Sequence, residues 1–283
     1  MPPRKAPTAW QRRLGTELRK MREHAGLPLG DAAALLGTDR TTISNSESGR
    51  FGVSSDRVRT WAALYQCPDA AYIDALAAMA EDRRKGWWED YRGKLSSGAL
   101  DLSELEANAT GLRGVTIMHV PGQLQTEEYA RAVFEEAVPP LNPIDLRTRL
   151  SHRLKRRDVL DRPEPLPCTF LIHEAALRMQ YGSAKIARTQ LKHVLKESER
   201  DNITVRVIPF RAGGFPNAGS STLYIYGPVP QLDTVQMDTP TGPAFLDAET
   251  LLANYRAVLD RTQERSMNPA QSRDFIHGIA QQA

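Results

Sequence analysis

The sequence predicts a mainly α-helical chain with an α+β C-terminal part. Five short helices come first, with helix-turn-helix spacing, and a helical domain carrying a small, mainly antiparallel sheet follows. Three observations lead there. Apolar residues recur at spacings of three and four through roughly the first 80 residues. Period-two alternation is clean only later, at Ile203–Ile208. Between these regions the chain is punctuated by Gly, Pro and Ser/Thr/Asn/Asp caps rather than by repeats.

The elements follow in order. Trp10, Leu14, Leu18, Met21 and Ala25 share one helical face, and Gly26 stops that helix. Pro28 suits the opening of a second, ended by Gly37. Asp39 caps a third that runs to Ser48. A fourth starts at Ser55 or Asp56 with Val58, Trp61, Ala62 and Tyr65 inward, and a fifth spans 69–85. Beyond it, 102–109 reads as helix and 114–120 as an extended segment. Pro121-Gly122 is a turn, Thr126 caps a helix, and Asn142-Pro143 opens another that reaches about Leu160. The segment 168–172 reads as strand, His173 leads a turn into helix, and Ser183 caps a long helix to Arg200. The segments 221–226 and 232–237 form a strand pair around Gly227-Pro228. Asp247 opens a helix to Glu264, and Asn268-Pro269 opens the last one.

Composition sets the class. With 283 residues, 41% hydrophobic and 25% charged, the chain is globular and long enough for two domains, divided as 1–85 and 86–283. Its longest apolar stretches, 32–37 and 73–80, fall well short of the ~20 residues of a membrane span. Two cysteines, Cys67 and Cys168, exclude a disulfide scaffold and a Cys-rich zinc site. Met1-Pro2-Pro3-Arg4-Lys5 leads into a polar helix, so no signal peptide is evident and the cytoplasm is the expected compartment. Charge is uneven: residues 1–65 hold 11 Lys and Arg against 6 Asp and Glu, and the remainder 26 against 28. A basic module on a near-neutral body points to a polyanion partner for that module.

In a helix-turn-helix the third helix enters the major groove with its N-terminal residues at the base edges. Here those are Arg40, Thr41, Ser44 and Asn45. Arginine pairs with guanine O6/N7 and asparagine with adenine N6/N7. Arg13 and Arg50 are the expected phosphate contacts. The plainer alternative is a solvated polar helix face.

These residues carry a resemblance. Leu14-Gly15-Thr16-Glu17-Leu18-Arg19 and 41–50, ending Glu47-Ser48-Gly49-Arg50, resemble the XRE (Cro/repressor-type) helix-turn-helix family. Two departures stand out: Pro28-Leu29 where the family often has Thr-Gln, and Ser46 where it has Ile or Leu facing the core. The stretch Val120-Pro121-Gly122-Gln123-Leu124-Gln125-Thr126-Glu127-Glu128-Tyr129-Ala130, with Gly86-Trp87-Trp88, 174–178 and 202–210, is similar to the WhiJ-like group of actinobacterial regulators. That resemblance implies a DNA-binding transcriptional regulator with a companion C-terminal domain. It also implies a small partner protein and, in some members, an antitoxin-like role.

Trp87, Trp88 and Tyr91 admit two readings: a base-stacking platform, or large apolar anchors at a joint, dimer seam or partner surface. An acidic segment ending Glu89-Asp90 favours the second. Pro121, Gln125 and Tyr129 belong with them as a candidate partner surface. A single recognition helix reads few base pairs, so a homodimer on a double-stranded operator is expected, at the nucleoid when bound. The arginine run at 147–157 reads as a solvated face or a second phosphate surface.

No enzyme constellation assembles. His173-Glu174 begins like a zinc helix, but the second ligand position is Leu177. His119, His152 and His193 lack ligand spacing, and Cys168 reads as a core residue. No phosphate loop or nucleophile elbow is present. The expectation is a binding protein with no catalytic residue, metal or cofactor, whose C-terminal domain takes an effector or a small partner protein.

Overall fold

Five helices make the N-terminal unit of the computed structural model, which describes residues 7–82, 84–239 and 242–282. They are α1 (Ala9–His24), α2 (Leu29–Leu35), α3 (Arg40–Glu47), α4 (Ser55–Leu64) and α5 (Ala70–Glu81). Thr8, Asp39, Ser54 and Asp69 each accept the backbone N–H three residues on, which fixes where four of the helices start. Gly26 and Gly37 follow α1 and α2 at φ +69° and +61°, a conformation that favours glycine. Leu18, Ile43, Val58, Trp61 and Leu76 are sealed from water and form the common core. The fifth helix stops at Glu81, before the expected Lys85, because Asp82 turns extended and takes the Arg84 backbone N–H on its carboxylate. Arg83, and the opening Met1–Lys5 discussed above, lie outside the described residues.

The chain divides into compact units at Trp87/Trp88. The second contains α6 (Ser97–Ala107), β1 (Gly111–Thr116), α7 (Glu127–Glu135), α8 (Pro143–Arg156), β2 (Cys168–His173), α9 (Glu174–Arg178) and α10 (Ala184–Glu197). It continues with β3 (Ile203–Ile208), β4 (Thr222–Tyr226), β5 (Thr234–Thr239), β6 (Gly242–Leu246), α11 (Glu249–Glu264) and α12 (Pro269–Gln282). The six strands form one sheet in the order β3-β2-β1-β4-β5-β6. Three of its five pairings are antiparallel, as expected, but β1, β2 and β3 run parallel. The helix pairs α7–α8 and α9–α10 join those three strands, and parallel neighbours require such crossovers. β6 was not expected: Gly242 and Pro243 disguise it, and Pro is tolerated there because the strand lies at the edge. β1 starts three residues before its expected position, with the Tyr226 ring lying over Gly111. The other edge is closed by α12, where Met267 N–H donates to the Val207 carbonyl and Ser272 Oγ accepts from Val207 N–H.

Val115, Leu171, Ile208, Tyr224 and Val235 face α11 and pack on Leu252 and Leu259. Beside the sheet lies a buried polar network. Glu106, 2% exposed, accepts Arg156 Nε at 2.8 Å and Gln123 Nε2 at 2.6 Å. Gln125 accepts Arg153 Nη1 at 2.6 Å and donates to the Val120 carbonyl at 2.7 Å. Gln190 donates to the Leu124 carbonyl and accepts from Thr126 N–H. This corrects the partner surface expected from the sequence. Gln125 and Tyr129 are 0% and 2% exposed, Trp88 is 8% exposed, and Pro121 is buried. The inner side of the motif at 120–130 can lie in the core because Gln123 donates to the Glu106 carboxylate and Gln125 pairs with the Arg153 guanidinium and the Val120 carbonyl, groups that burial would otherwise leave short of partners. Tyr91 and Trp87 are half-buried, with Tyr91 Oη bonded to Ser151 Oγ. The α8 arginine run is likewise split: Arg153 and Arg156 turn inward, while Arg147 and Arg149 face solvent.

His152 belongs to the same region, with Nε2 at 2.9 Å from Ser103 Oγ and its ring edge-on to Tyr91. Burial first, then Arg156 and Arg153, push its pKa down from 6.5 to about 3. The folded chain therefore holds it neutral where the unfolded chain protonates it. That contribution to stability is full above pH 6.5 and is lost as pH falls from there towards 3. The loss on going from pH 6.5 to pH 5 is expected to be on the order of 2 kcal/mol. Urea unfolding of wild type and His152→Gln at the two pH values checks it, the variant showing the flatter dependence.

Candidate nucleic-acid interface

The turn at Gly37 sets α3 across α2, and the Asp39 cap starts it. Asp39 accepts Thr42 N–H at 2.8 Å and the Thr42 hydroxyl at 2.7 Å. The hydroxyl first, then the amide, hold the Asp39 carboxyl below its ordinary pKa, so it stays an acceptor. Ile43, fully buried, anchors the inner face of α3, and Ala32 and Ala33 do the same for α2. Periodicity then leaves Arg40, Thr41 and Ser44 exposed and Asn45 half-buried on the outer face. Their side chains are held by no hydrogen bond or ion pair among the described residues. The structure therefore brings the four expected base-reading residues together with their donors and acceptors uncommitted. The Arg40 guanidinium lies over Gly30 of α2, where an added Cβ would stand 2.5 Å from Nη2.

Arg50 is exposed just beyond α3 and has no acidic partner among the described residues. Arg13, the other expected phosphate contact, is corrected. It is 6% exposed, with Nε 3.0 Å from Glu17 one turn along α1. Glu17 also accepts Tyr72 Oη at 2.6 Å and Lys20 Nζ at 2.7 Å, which ties α1 to α5. Glu23, Glu47 and Asp74 are taken by Arg19, Arg22 and Arg59. Arg40 and Arg50, at the two ends of α3, are cations of this module with no acidic partner among the described residues.

Sequence reasoning missed what holds α3 in place. Arg22 makes a two-pronged contact with Glu47, Nε–Oε1 2.6 Å and Nη2–Oε2 2.9 Å, with both side chains buried. Arg22 Nη1 also donates to the Leu27 carbonyl beyond the end of α1. Gly15 sits so close that a Cβ there would lie 2.7 Å from the Ser46 carbonyl oxygen and 2.6 Å from that of Glu47. Ser46, which stands where the XRE pattern has Ile or Leu, is 2% exposed, and its backbone carbonyl is part of this close approach. Gly49, at φ +72°, lies equally close to the Gln11 carbonyl. In Glu47-Ser48-Gly49-Arg50, the first residue locks the turn to α1, the glycine makes it, and the arginine is presented outward.

The former zinc-like start at His173 is a helix cap, its Nδ1 accepting Ala175 N–H at 3.2 Å. Cys168 is 2% exposed, and burial pushes its thiol up to about 12. No helix among the described residues is long and apolar enough to cross a membrane.

Comparison with known families agrees with this division of the chain. A family model described as Helix-turn-helix domain matches residues 13–76, taking in most of α1, all of α2 to α4 and most of α5. A second, described as Domain of unknown function (DUF5753), matches residues 99–278. No curated protein and no solved structure matches the chain. With most of its length covered by the second model, the chain belongs to the DUF5753 family, and at its N-terminus it carries the helix-turn-helix domain of a DNA-binding regulator.

Proposed function

We propose that the chain is a sequence-specific, cytoplasmic transcriptional regulator of the XRE type and the WhiJ-like group. It binds operator DNA as a homodimer through α3, does no catalysis, and its C-terminal unit takes an effector. The observation that carries this reading is the outer face of α3: Arg40, Thr41, Ser44 and Asn45 exposed or half-exposed and uncommitted, with unpaired Arg50 beside them. Base edges are read by such groups, and phosphates are held by free cations. The antitoxin-like reading, in which a small protein is sequestered, has less support. Its chosen anchors Trp88, Gln125 and Tyr129 lie in the core.

Operator titration tests it. Arg40→Ala is expected to cost ~1–3 kcal/mol on the operator, to relax preference at one base pair and to leave affinity for random DNA nearly unchanged. Arg50→Ala is expected to weaken both DNAs alike and to reduce the salt slope by about one. Wild-type binding of both DNAs by both variants would remove α3 as the reading element.

A further inference from the structure

We propose that a cleft on the α11 side of the sheet binds a small organic anion, a carboxylate or phosphate monoester on a flat apolar body. The cleft is about 610 Å³, a size suited to a small molecule. It opens where the start of β1 meets the end of β4, beyond the part of the sheet that α11 covers. Arg113 from β1 and Arg256 from α11 are its cations, Asp233 is the acidic residue among its described lining residues, and Tyr226, Pro228 and Pro230 give it apolar walls.

The sign of the ligand follows from which groups are already committed. Asp233 is 3% exposed and accepts from Tyr224 Oη at 2.7 Å, Gly227 N–H at 2.9 Å and Arg256 Nη1 at 3.2 Å. It has little capacity left for a cation. Arg256 uses Nη1 on Tyr224 and Asp233, while its Nε and Nη2 have no partner among the described residues. Arg113 holds Asp260 at 2.6 Å and Gln263 at 3.0 Å, and its buried Nε–H has no acceptor among the described residues. The Asp260 side chain is 68% exposed, so its pairing with Arg113 is solvent-screened and worth little. An incoming carboxylate or phosphate exchanges for it and gains the fork geometry that guanidinium offers to planar anions. Arg206, on the next strand but one and facing the same side, has its pKa lowered by burial first and then by Arg113, a further mark of excess positive charge there. The Tyr226 ring, held over Gly111, supplies a flat face for the body of the ligand.

The site stands on the geometry of the C-terminal unit. Its link to DNA rests on the effector reading given above. The test is calorimetric titration of the full chain with 1-naphthoate, its neutral counterpart 1-naphthamide, phenyl phosphate and inorganic phosphate. The expected result is saturable one-site binding of naphthoate or phenyl phosphate, with naphthamide and inorganic phosphate at least about tenfold weaker, equivalent to about 1.4 kcal/mol. Asp260→Asn, an exposed change that removes the competing carboxylate, is expected to tighten binding several-fold. Arg256→Gln is expected to weaken it about tenfold. Absence of organic-anion binding, equal binding of naphthamide, or unchanged affinity in Asp260→Asn overturns the proposal, and the Asp260 result decides even if Arg256→Gln fails to fold. Operator titration with and without the bound anion separates the two readings. Binding in the cleft with unchanged operator affinity leaves the site standing and removes only its role as an effector site.

Discussion

Glu106→Ala is expected to lower the unfolding free energy by about 3–5 kcal/mol, a large part of what a domain has. The carboxylate is 2% exposed and is the acceptor for both Nε and Nη2 of Arg156, whose own side chain is 11% exposed. Removing it leaves a guanidinium and the Gln123 amide facing a buried gap. The cost comes from that uncompensated charge, not from the lost attraction alone. Replacing both members together, as Glu106→Leu with Arg156→Met, is expected to regain most of the loss, since an apolar pair carries no desolvation penalty. Urea midpoints of wild type, the single variant and the double variant check this. A single variant as stable as wild type would show that water reaches the pair and that the network does not hold the 120–130 segment.

Local signals in the sequence correspond closely to the elements they imply. Thr126, Asn142 and Ser183 cap the helices expected of them, and the alternation at Ile203–Ile208 is β3 with the same ends. What was not legible depends on partners distant in the chain. Glu106 and Arg156 are 50 residues apart, and nothing near either marks them as a buried pair. Aromatic identity did not reveal exposure: Trp88 and Tyr129 are rich in contact surface, which serves a core as well as an interface. Arg13 is different, because a signal was present. Glu17 stands four residues on, the spacing of a helical ion pair, and it outweighs the position of Arg13 in a basic module. The shared outer face of Arg40, Thr41, Ser44 and Asn45 was legible because it needs only a cap at Asp39, an inward Ile43 and helical periodicity. The sheet's parallel half was written in the alternation of strands with helix pairs, while β6 was hidden by the Gly and Pro that its edge position permits.

Glu47→Ala is expected to cost a similar ~3–5 kcal/mol, here in the N-terminal unit, and to remove operator binding by unfolding rather than by loss of a contact. Arg22 and Glu47 have side chains 8% and 6% exposed and share the shortest link between α1 and the end of α3. Without the carboxylate, the Arg22 charge stays buried with the Leu27 carbonyl and the half-exposed Glu23 carboxylate, 3.6 Å away, as its partners, and α3 is held against α1 by the close backbone packing at Gly15 and Gly49 and by the apolar core of Leu18 and Ile43 alone. The two ways of losing DNA binding separate in a stabilising osmolyte, which strengthens burial without supplying a missing side chain. Glu47→Ala is expected to melt well below wild type and to regain much of its operator affinity in trimethylamine N-oxide. Arg40→Ala is expected to melt with wild type and to regain none. Thermal unfolding and operator titration of both variants, with and without the osmolyte, give the comparison. If Glu47→Ala melts with wild type yet still fails to bind, Glu47 acts on the DNA face itself and its assignment as the lock between α1 and α3 is wrong.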